Sequence, residues 1–260
     1  MLSVEKSGGV ARVTLDRPEV RNAFDEVLIK KLLEAFVDVA SDSGIRVVVL
    51  AGNGPAFCAG ADLNWMKRMA GYGRDENLAD ARALAEMLAA LDRLPQPTIA
   101  RVHGPAFAGG TGLVAACDIA IGTPEAKFCF SEAKLGLSPA TISPYVMRAI
   151  GERAAHRYFL TAEVFGAEEA LRIGMLSLLV PAADLDFRID DLLKNLLAGG
   201  PQAHARIKEL IRAVARRPVD DALIADTARR IAEIRASPEG KEGIASFLEK
   251  RKAAWCSPKS

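Results

Sequence analysis

The sequence has almost no surplus of charge: 34 Lys and Arg stand against 33 Asp and Glu over 260 residues, a net +1. Such a chain sets up no global field to gather nucleic acid or an anionic membrane, so any anion it binds must be held locally. Cysteine is scarce as well. Cys58, Cys117, Cys129 and Cys256 form no Cys-x-x-Cys pair and read as reduced, small core residues of a cytoplasmic protein. The few Cys and His residues show no metal-ligand spacing, so no metal site is expected. Long apolar runs are missing too: residues 47–51 and 178–180 are far shorter than the ~20 residues of a membrane span. The N-terminus is a hairpin pattern, residues 2–6 and 10–15 around Gly8-Gly9, and not a charged segment followed by an apolar one. A soluble protein without a signal peptide is expected. There is no G-x-S-x-G elbow, and His156 and His204 lie on expected helices with no Ser-His-Asp partner order. His103 reads as a packed loop residue.

Half of the residues are hydrophobic, which at this length supplies the core of one main domain. After the hairpin, Asp25 is an N-cap type ahead of Leu28, Leu32, Leu33, Phe36 and Val37 at helical spacing. Residues 45–51 spell a buried strand. It ends in Gly52-Asn53-Gly54-Pro55, which delivers Phe57-Cys58-Ala59-Gly60-Ala61-Asp62 to the strand's carboxyl end. A helix over 75–94 stops at Pro95 and Pro97. Residues 98–102 form the next strand, 118–122 and 127–130 are short strands, and a helix over 144–150 precedes Gly151. This half is α/β, with the site expected at the strand ends. Beyond Pro181 only helices remain, near 184–198, 201–216, 219–236 and 238–250. Leu248 and Trp255 would be exposed if that tail stayed free, so docking on its own core or on a neighbour is expected.

Two loops follow buried strands with small residues where a backbone must approach a ligand: Ala59-Gly60-Ala61 and Ala108-Gly109-Gly110-Thr111-Gly112. Glycine leaves outward-pointing N–H groups unobstructed, and two amides converging on one oxygen make an oxyanion hole. Either loop alone is equally a tight turn with close helix–strand packing. A nucleotide cradle is disfavoured, because neither loop is G-x-x-x-x-G-K-[ST] or a full G-x-G-x-x-G after a strand.

Four blocks in order, Phe57-Cys58-Ala59-Gly60-Ala61-Asp62-Leu63, Val102-His103-Gly104-Pro105-Ala106-Phe107-Ala108-Gly109-Gly110, Cys117-Asp118-Ile119-Ala120 and Phe130-Ser131-Glu132-Ala133-Lys134-Leu135-Gly136-Leu137, resemble the enoyl-CoA hydratase/isomerase, or crotonase, family. The resemblance runs from Arg17-Pro18 to the end of the chain. It implies a crotonase-like spiral of β-β-α units over 1–195 and a C-terminal helical trimerisation region over 196–260, assembled as a homotrimer or a dimer of trimers. It implies an acyl-CoA thioester as substrate, with no separate cofactor because coenzyme A is part of that substrate. The backbone amides of Ala61 and Gly109 would hold the thioester oxygen. CoA would lie against Ala59, Gly60, Asp62 and Leu63, with Arg21 and Ala23 contributing; Gly110, Gly112 and Tyr145 are further candidates for substrate contact. Arg21 reads equally as a solvated surface residue. The cluster Lys250-Arg251-Lys252 is a solvated helix face, or by resemblance a contact to CoA phosphates of an adjoining subunit.

A hydratase needs at least one carboxylate within reach of the reacting carbons. Many hydratases of the family use two glutamates, one three positions after the middle glycine of the second loop and one matching Glu132. Here the first position is Gly112. That departure argues against a two-glutamate hydratase, and a glutamate installed at position 112 would probe the missing partner. Glu132 on its own is equally a helix N-terminal carboxylate with Ser131 as cap; with the loops it becomes the acid–base. The stretch from Gly109 to Leu113, followed by that from Leu135 to Val146, is similar to bacterial methylglutaconyl-CoA hydratase-like proteins. The resulting expectation is syn hydration or dehydration of a branched enoyl-CoA, 3-methylglutaconyl-CoA of leucine breakdown, with or without help from Ser143 or Tyr145. A Δ3,Δ2-enoyl-CoA isomerase is the first alternative. A non-catalytic CoA-ester or RNA-binding homologue is the second, disfavoured for RNA by the missing basic aromatic platform. Trp65, Met66, Met69, Tyr72, Met87 and Tyr145 either line the acyl pocket or pack.

Overall fold

A computed structural model describes residues 1–256. Along the chain run β1 (Leu2–Ser7), β2 (Val10–Leu15), α1 (Glu26–Ser41), β3 (Val47–Gly52), α2 (Leu63–Met69), α3 (Arg74–Asp92), β4 (Thr98–Val102), β5 (Ala106–Phe107), α4 (Gly109–Ala116), β6 (Ile119–Gly122) and β7 (Lys127–Cys129). Then follow α5 (Ser143–Thr161), β8 (Phe165–Gly166), α6 (Ala167–Ile173), β9 (Leu178–Leu179), α7 (Leu185–Ala198), α8 (Pro201–Val214), α9 (Asp221–Ala236) and α10 (Pro238–Leu248). One sheet has the order β1-β2-β3-β4-β6-β9 and a smaller one the order β5-β7-β8. β1 and β2 are the expected antiparallel hairpin, while β2 through β9 pair in parallel within the large sheet.

A parallel sheet must be covered on both faces, and β3 shows how. Val48 and Leu50 face the larger core, with Leu28, Leu32 and Phe36 of α1 and Leu88 and Leu91 of α3. Val47 and Val49 face the other way, against Leu185, Ile189 and Leu193 of α7. The unbroken run Val47-Val48-Val49-Leu50 is therefore apolar on both sides because it is buried on both sides. Asp25 caps α1 as expected, its carboxylate accepting from the Leu28 N–H at 2.7 Å. Val37 departs from the expected helix face and is 58% exposed; Ile29 and Val39 are the buried partners instead.

The helical tail is fastened to the core by charge as well as by packing. Lys208 of α8 is buried, with its ammonium 2.6 Å from the Asp118 carboxylate and donating to the Gln96 carbonyl at 3.1 Å. Asp118 in turn accepts from the backbone and hydroxyl of Thr98, so the ion pair sits on the starts of β4 and β6. Trp255 docks as expected, its indole N–H donating to the Ala198 carbonyl at 3.0 Å. Leu248 does not dock. It and Phe247 are 72% and 81% exposed.

The strand expected over 127–130 ends at Cys129, where the chain turns into a 3-10 helix, Ser131–Leu135. The helix expected over 144–150 does break at Gly151, whose φ of 74° is left-handed, but helical structure resumes to Thr161. The two-residue strands β5, β8 and β9 are too short for any period-2 pattern. Of the expected trimerisation region 196–260, residues 257–260 lie outside the described residues.

Candidate active site

The first loop is held from below by a segment that leaves β2. Arg17 is the hub. Its guanidinium pairs with Asp25 at 2.8 Å and Asp62 at 3.3 Å and donates to the Ala23 carbonyl at 2.8 Å, with all three ionic side chains at most 14% exposed. Both carboxylates are helix caps: Asp25 for α1, and Asp62 for α2 through the Asn64 and Trp65 amides. One buried cation thus fixes the entry of two helices around residues 23–62 and has the ion-pair partners its burial requires. Asn22, fully buried, accepts from the Arg17 N–H and donates to the carbonyls of Asn53 and Ala56. Phe24 bridges to the loop itself, donating to the Gly60 carbonyl at 2.6 Å and accepting from Asp62 N–H at 2.7 Å.

That bridge decides where Ala61 points. In a parallel bridge, the residue between the two bonded groups turns its own N–H to the opposite edge. On that edge, Cys58 accepts from Phe107 and donates to Pro105, and α4 begins just beyond. Gly60, at φ 93°, makes the close approach: a Cβ there would lie 3.1 Å from the Phe107 carbonyl oxygen and 3.2 Å from Ala108 Cβ. From the other loop, a Cβ on Gly110 would fall 2.4 Å from the Cys58 oxygen, and one on Gly109 would fall 2.7 Å from the Phe24 ring. Only glycine fits at either position.

Ala108 introduces α4 with φ 45° and ψ −119°, a backbone conformation that favours glycine and costs a non-glycine residue about 1–3 kcal/mol. It is pinned on both sides, donating to the Cys129 carbonyl at 2.8 Å and accepting from the Thr111 N–H at 2.9 Å. The strain turns the chain so that α4 opens with free amides. Neither the Ala61 nor the Gly109 N–H has an acceptor among the described residues, and both residues are partly accessible.

Glu132 arrives through the smaller sheet. Parallel pairing sets Phe107 opposite Cys129, and the 3-10 turn that follows within two residues carries Glu132. Its Oε2 is buried without a hydrogen-bond partner. Burial pushes this carboxyl above its ordinary value, opposed only by a hydrogen bond from its own backbone. Ser131 does not act as a cap here; the turn begins at Phe130 with no side-chain cap. Two unengaged amides, a carboxylate with one unpartnered oxygen, and Ala108, hydrogen-bonded to both Cys129 and Thr111, are groups able to stabilise negative charge on an oxygen and to move a proton.

The model of the family "Enoyl-CoA hydratase/isomerase" matches residues 5–258. The chain belongs to the enoyl-CoA hydratase/isomerase family. A crystal structure of an enoyl-CoA hydratase from Shewanella pealeana ATCC 700345 has a TM-score of 0.95 and 44% identity, covering 98% of this chain and 95% of that one. The short-chain-enoyl-CoA hydratase of Clostridium acetobutylicum is 30% identical over 255 residues, 96% of this chain and 95% of that protein. A 4-chlorobenzoyl coenzyme A dehalogenase-2 of an Arthrobacter species is 30% identical over 252 residues, 96% of this chain and 91% of that protein. The fold is accordingly the crotonase fold, with the C-terminal helices that the resemblance implied.

Within this crotonase fold, the other expected residues part company. Ala59 donates to the Arg21 carbonyl at 2.9 Å, Arg21 adopts a left-handed turn, and its side chain is exposed with no ion pair among the described residues. Ala23 is buried and serves Arg17 through its carbonyl. Leu63 is exposed at the start of α2. The Asp62 carboxylate is taken up by the α2 cap and Arg17, so the side chain supports the loop and only the backbone is left for a ligand. Gly112 is a correction, because it is buried and faces no open space. A Cβ there would meet Ile142 Cγ2 at 2.3 Å and Leu88 Cδ2 at 3.6 Å. Tyr145 stands under the Arg148 guanidinium at 5.7 Å, with Asp92 beside it, at the far end of α3. Ser143 spends its hydroxyl on the Ala140 carbonyl. Lys250 lies just past α10, a helix packed on α8 and α9. Trp65 and Met87 are core residues. Among the described residues no cluster of His, Cys, Asp or Glu is gathered to hold a metal ion.

Arg17 and Phe24 were missed because their roles are long-range. The one local signal was an arginine just past an apolar strand with two caps, Asp25 and Asp62, downstream. The buried Glu132 yields a prediction. Its folded-state value lies above the ordinary 4.5, so its favourable contribution is present in acid and lost as pH rises through the raised value. Glu132→Gln should therefore raise the thermal unfolding midpoint at pH 7.5 and leave it unchanged near pH 4; an equal or lower midpoint at both would contradict the burial of this charge.

Proposed function

We propose that this protein adds water across, or removes it from, the 2,3-double bond of a branched enoyl-CoA, 3-methylglutaconyl-CoA or a close analogue, with no separate cofactor. The observation that carries the reading is the buried Oε2 of Glu132, which has no hydrogen-bond partner, in a fold where the Ala61 and Gly109 amides have no acceptor among the described residues. In the hydration direction, Glu132 takes a proton from water as the water oxygen bonds to C3. The π electrons move through C2 onto the thioester oxygen, and the enolate is stabilised by the Ala61 and Gly109 N–H groups. The protonated Glu132 then gives its proton to C2 as the enolate electrons return. Each oxyanion donor contributes about 10²–10³-fold, and the raised carboxyl value suits a group that must serve as base and then as acid. The exposed guanidinium of Arg21 supports a role at CoA phosphates.

One observation favours Δ3,Δ2-isomerisation as a second reading: the position one helical turn past Gly109 is packed with hydrocarbon, and a single carboxylate suffices to carry a proton between C2 and C4. Glu132→Gln should lower turnover on the order of 10²–10⁴-fold, and undiminished activity would remove Glu132 from the mechanism. Wild-type protein incubated with 3-methylglutaconyl-CoA, crotonyl-CoA and a 3-enoyl-CoA should hydrate the branched ester fastest. Double-bond migration without water addition would favour the isomerase, and binding with no turnover would defeat both.

The assembly we propose is a trimer or a dimer of trimers built through the C-terminal helices. It is supported by the exposed apolar residues Ile231, Ile244, Phe247 and Leu248, more than a free surface carries without a partner. Sedimentation equilibrium should return three or six times the chain mass, and Phe247→Asp should shift it towards one chain. A wild-type monomer would overturn this assembly.

A further inference from the structure

The contact between Gly112 and Ile142 is not incidental packing. On α4, position 112 lies three residues, almost one turn, beyond the Gly109 amide, so the two share a face. A side chain at 112 would therefore rise beside the point where the thioester oxygen is to sit. The direction it would take is already filled: a Cβ would lie 2.3 Å from Ile142 Cγ2 and 3.0 Å from Ile142 Cβ. Contacts below 3.0 Å do not persist, so either residue must shrink for the other to grow.

Ile142 has no means of retreat. It is 1% exposed and is the residue from which α5 starts, its carbonyl accepting from the Tyr145 and Val146 amides at 3.1 Å each. The backbone is thus fixed by a helix, and a β-branched side chain has few χ1 states open to it. Leu88 of α3 backs the same notch, 3.6 Å from the missing Cβ. The side chain that position 112 lacks is replaced in space by hydrocarbon from α5.

We infer that Ile142 is a specificity-determining residue: by filling the space above Gly112, it holds the site to the one carboxylate of Glu132 and keeps a second acid, with the water it would orient, away from the substrate. This rests on the reading of Glu132 and the two amides given above. It also corrects the expectation that position 112 is vacant and ready to take a glutamate. Gly112→Glu alone introduces a clash, while Gly112→Glu with Ile142→Ala places a carboxylate in the freed space. There it would take the proton of water as the water oxygen bonds to C3, leaving Glu132 to protonate C2.

Two measurements on the full chain separate the packing claim from the catalytic one. Gly112→Ala should lower Tm by about 3–10 °C in the wild-type background and by much less in the Ile142→Ala background; equal losses in both would overturn the inference without touching the role of Glu132. Ile142→Val provides a milder background should Ile142→Ala fold poorly, with the loss expected to be intermediate. In the second measurement, the Gly112→Glu/Ile142→Ala protein should hydrate crotonyl-CoA at least about 10-fold faster than Ile142→Ala, and Gly112→Glu alone should show no gain. A single Gly112→Glu protein with wild-type Tm and the full gain, or a double variant with none, would overturn it. If instead wild-type protein turns over no enoyl-CoA while the Tm coupling is present, the reading of the reaction has failed and the packing of Ile142 against position 112 stands.

Discussion

Two main-chain N–H groups, at Ala61 and Gly109, have no acceptor among the described residues and are held in place by what surrounds them. An unmet amide costs about 1–3 kcal/mol when buried, and a strained residue such as Ala108 adds to the cost of the arrangement. Ala61 is held because Phe24 takes both groups beside it, and Gly109 because the Phe24 ring fills the space behind it. Phe24 is in place because Arg17 grips Ala23, Asp25 and Asp62 together. The position of the Gly109 amide on the second loop thus depends on a cation at the exit of β2. The large sheet supplies the rigid footing, with β3 and β4 running into the two loops from a core packed on both faces.

The division of labour that follows is simple. On the proposed reading the backbone would stabilise charge on oxygen, which needs no titratable group and is insensitive to pH. Glu132 would handle the protons; burial keeps its carboxyl above the ordinary value, and its Oε2 has no hydrogen-bond partner. The neighbouring surfaces of α3 and α5 are apolar at Leu88 and Ile142, so the chemistry available in the enoyl-CoA hydratase/isomerase fold is narrowed in this member by what fills the space above Gly112.

Much of this was legible in residues whose environment is local. The hairpin, the Asp25 cap, the β3 run and the helices after Pro181 all follow from spacing or composition. The two glycine loops and Glu132 could be picked out because small residues at strand ends and a carboxylate after a short strand are local signals, which the family resemblance then ordered. Arg17, Phe24 and Ile142 were not legible in the same way. Each acts across a gap of many residues, and nothing in its neighbours along the chain announces the partner. Gly112 shows the same limit from the other side: a missing side chain reads as free space in a sequence, and only the fold reveals that Ile142 occupies it. The partners of the Asp62 carboxylate, Arg17 and the α2 amides, are likewise seen only in the fold.

The convergence of the Ala61 and Gly109 amides on one thioester oxygen is the centre of this account. It is tested most directly by the vibrational spectrum of an enoyl-CoA carrying a 13C label at the thioester carbonyl, bound to the Glu132→Gln protein so that no turnover occurs. The expected result is a carbonyl stretch at lower frequency than for the free ester in water, with the shift reduced when Phe24 is replaced by alanine. A bound ester whose carbonyl absorbs at its aqueous frequency in both proteins would contradict it.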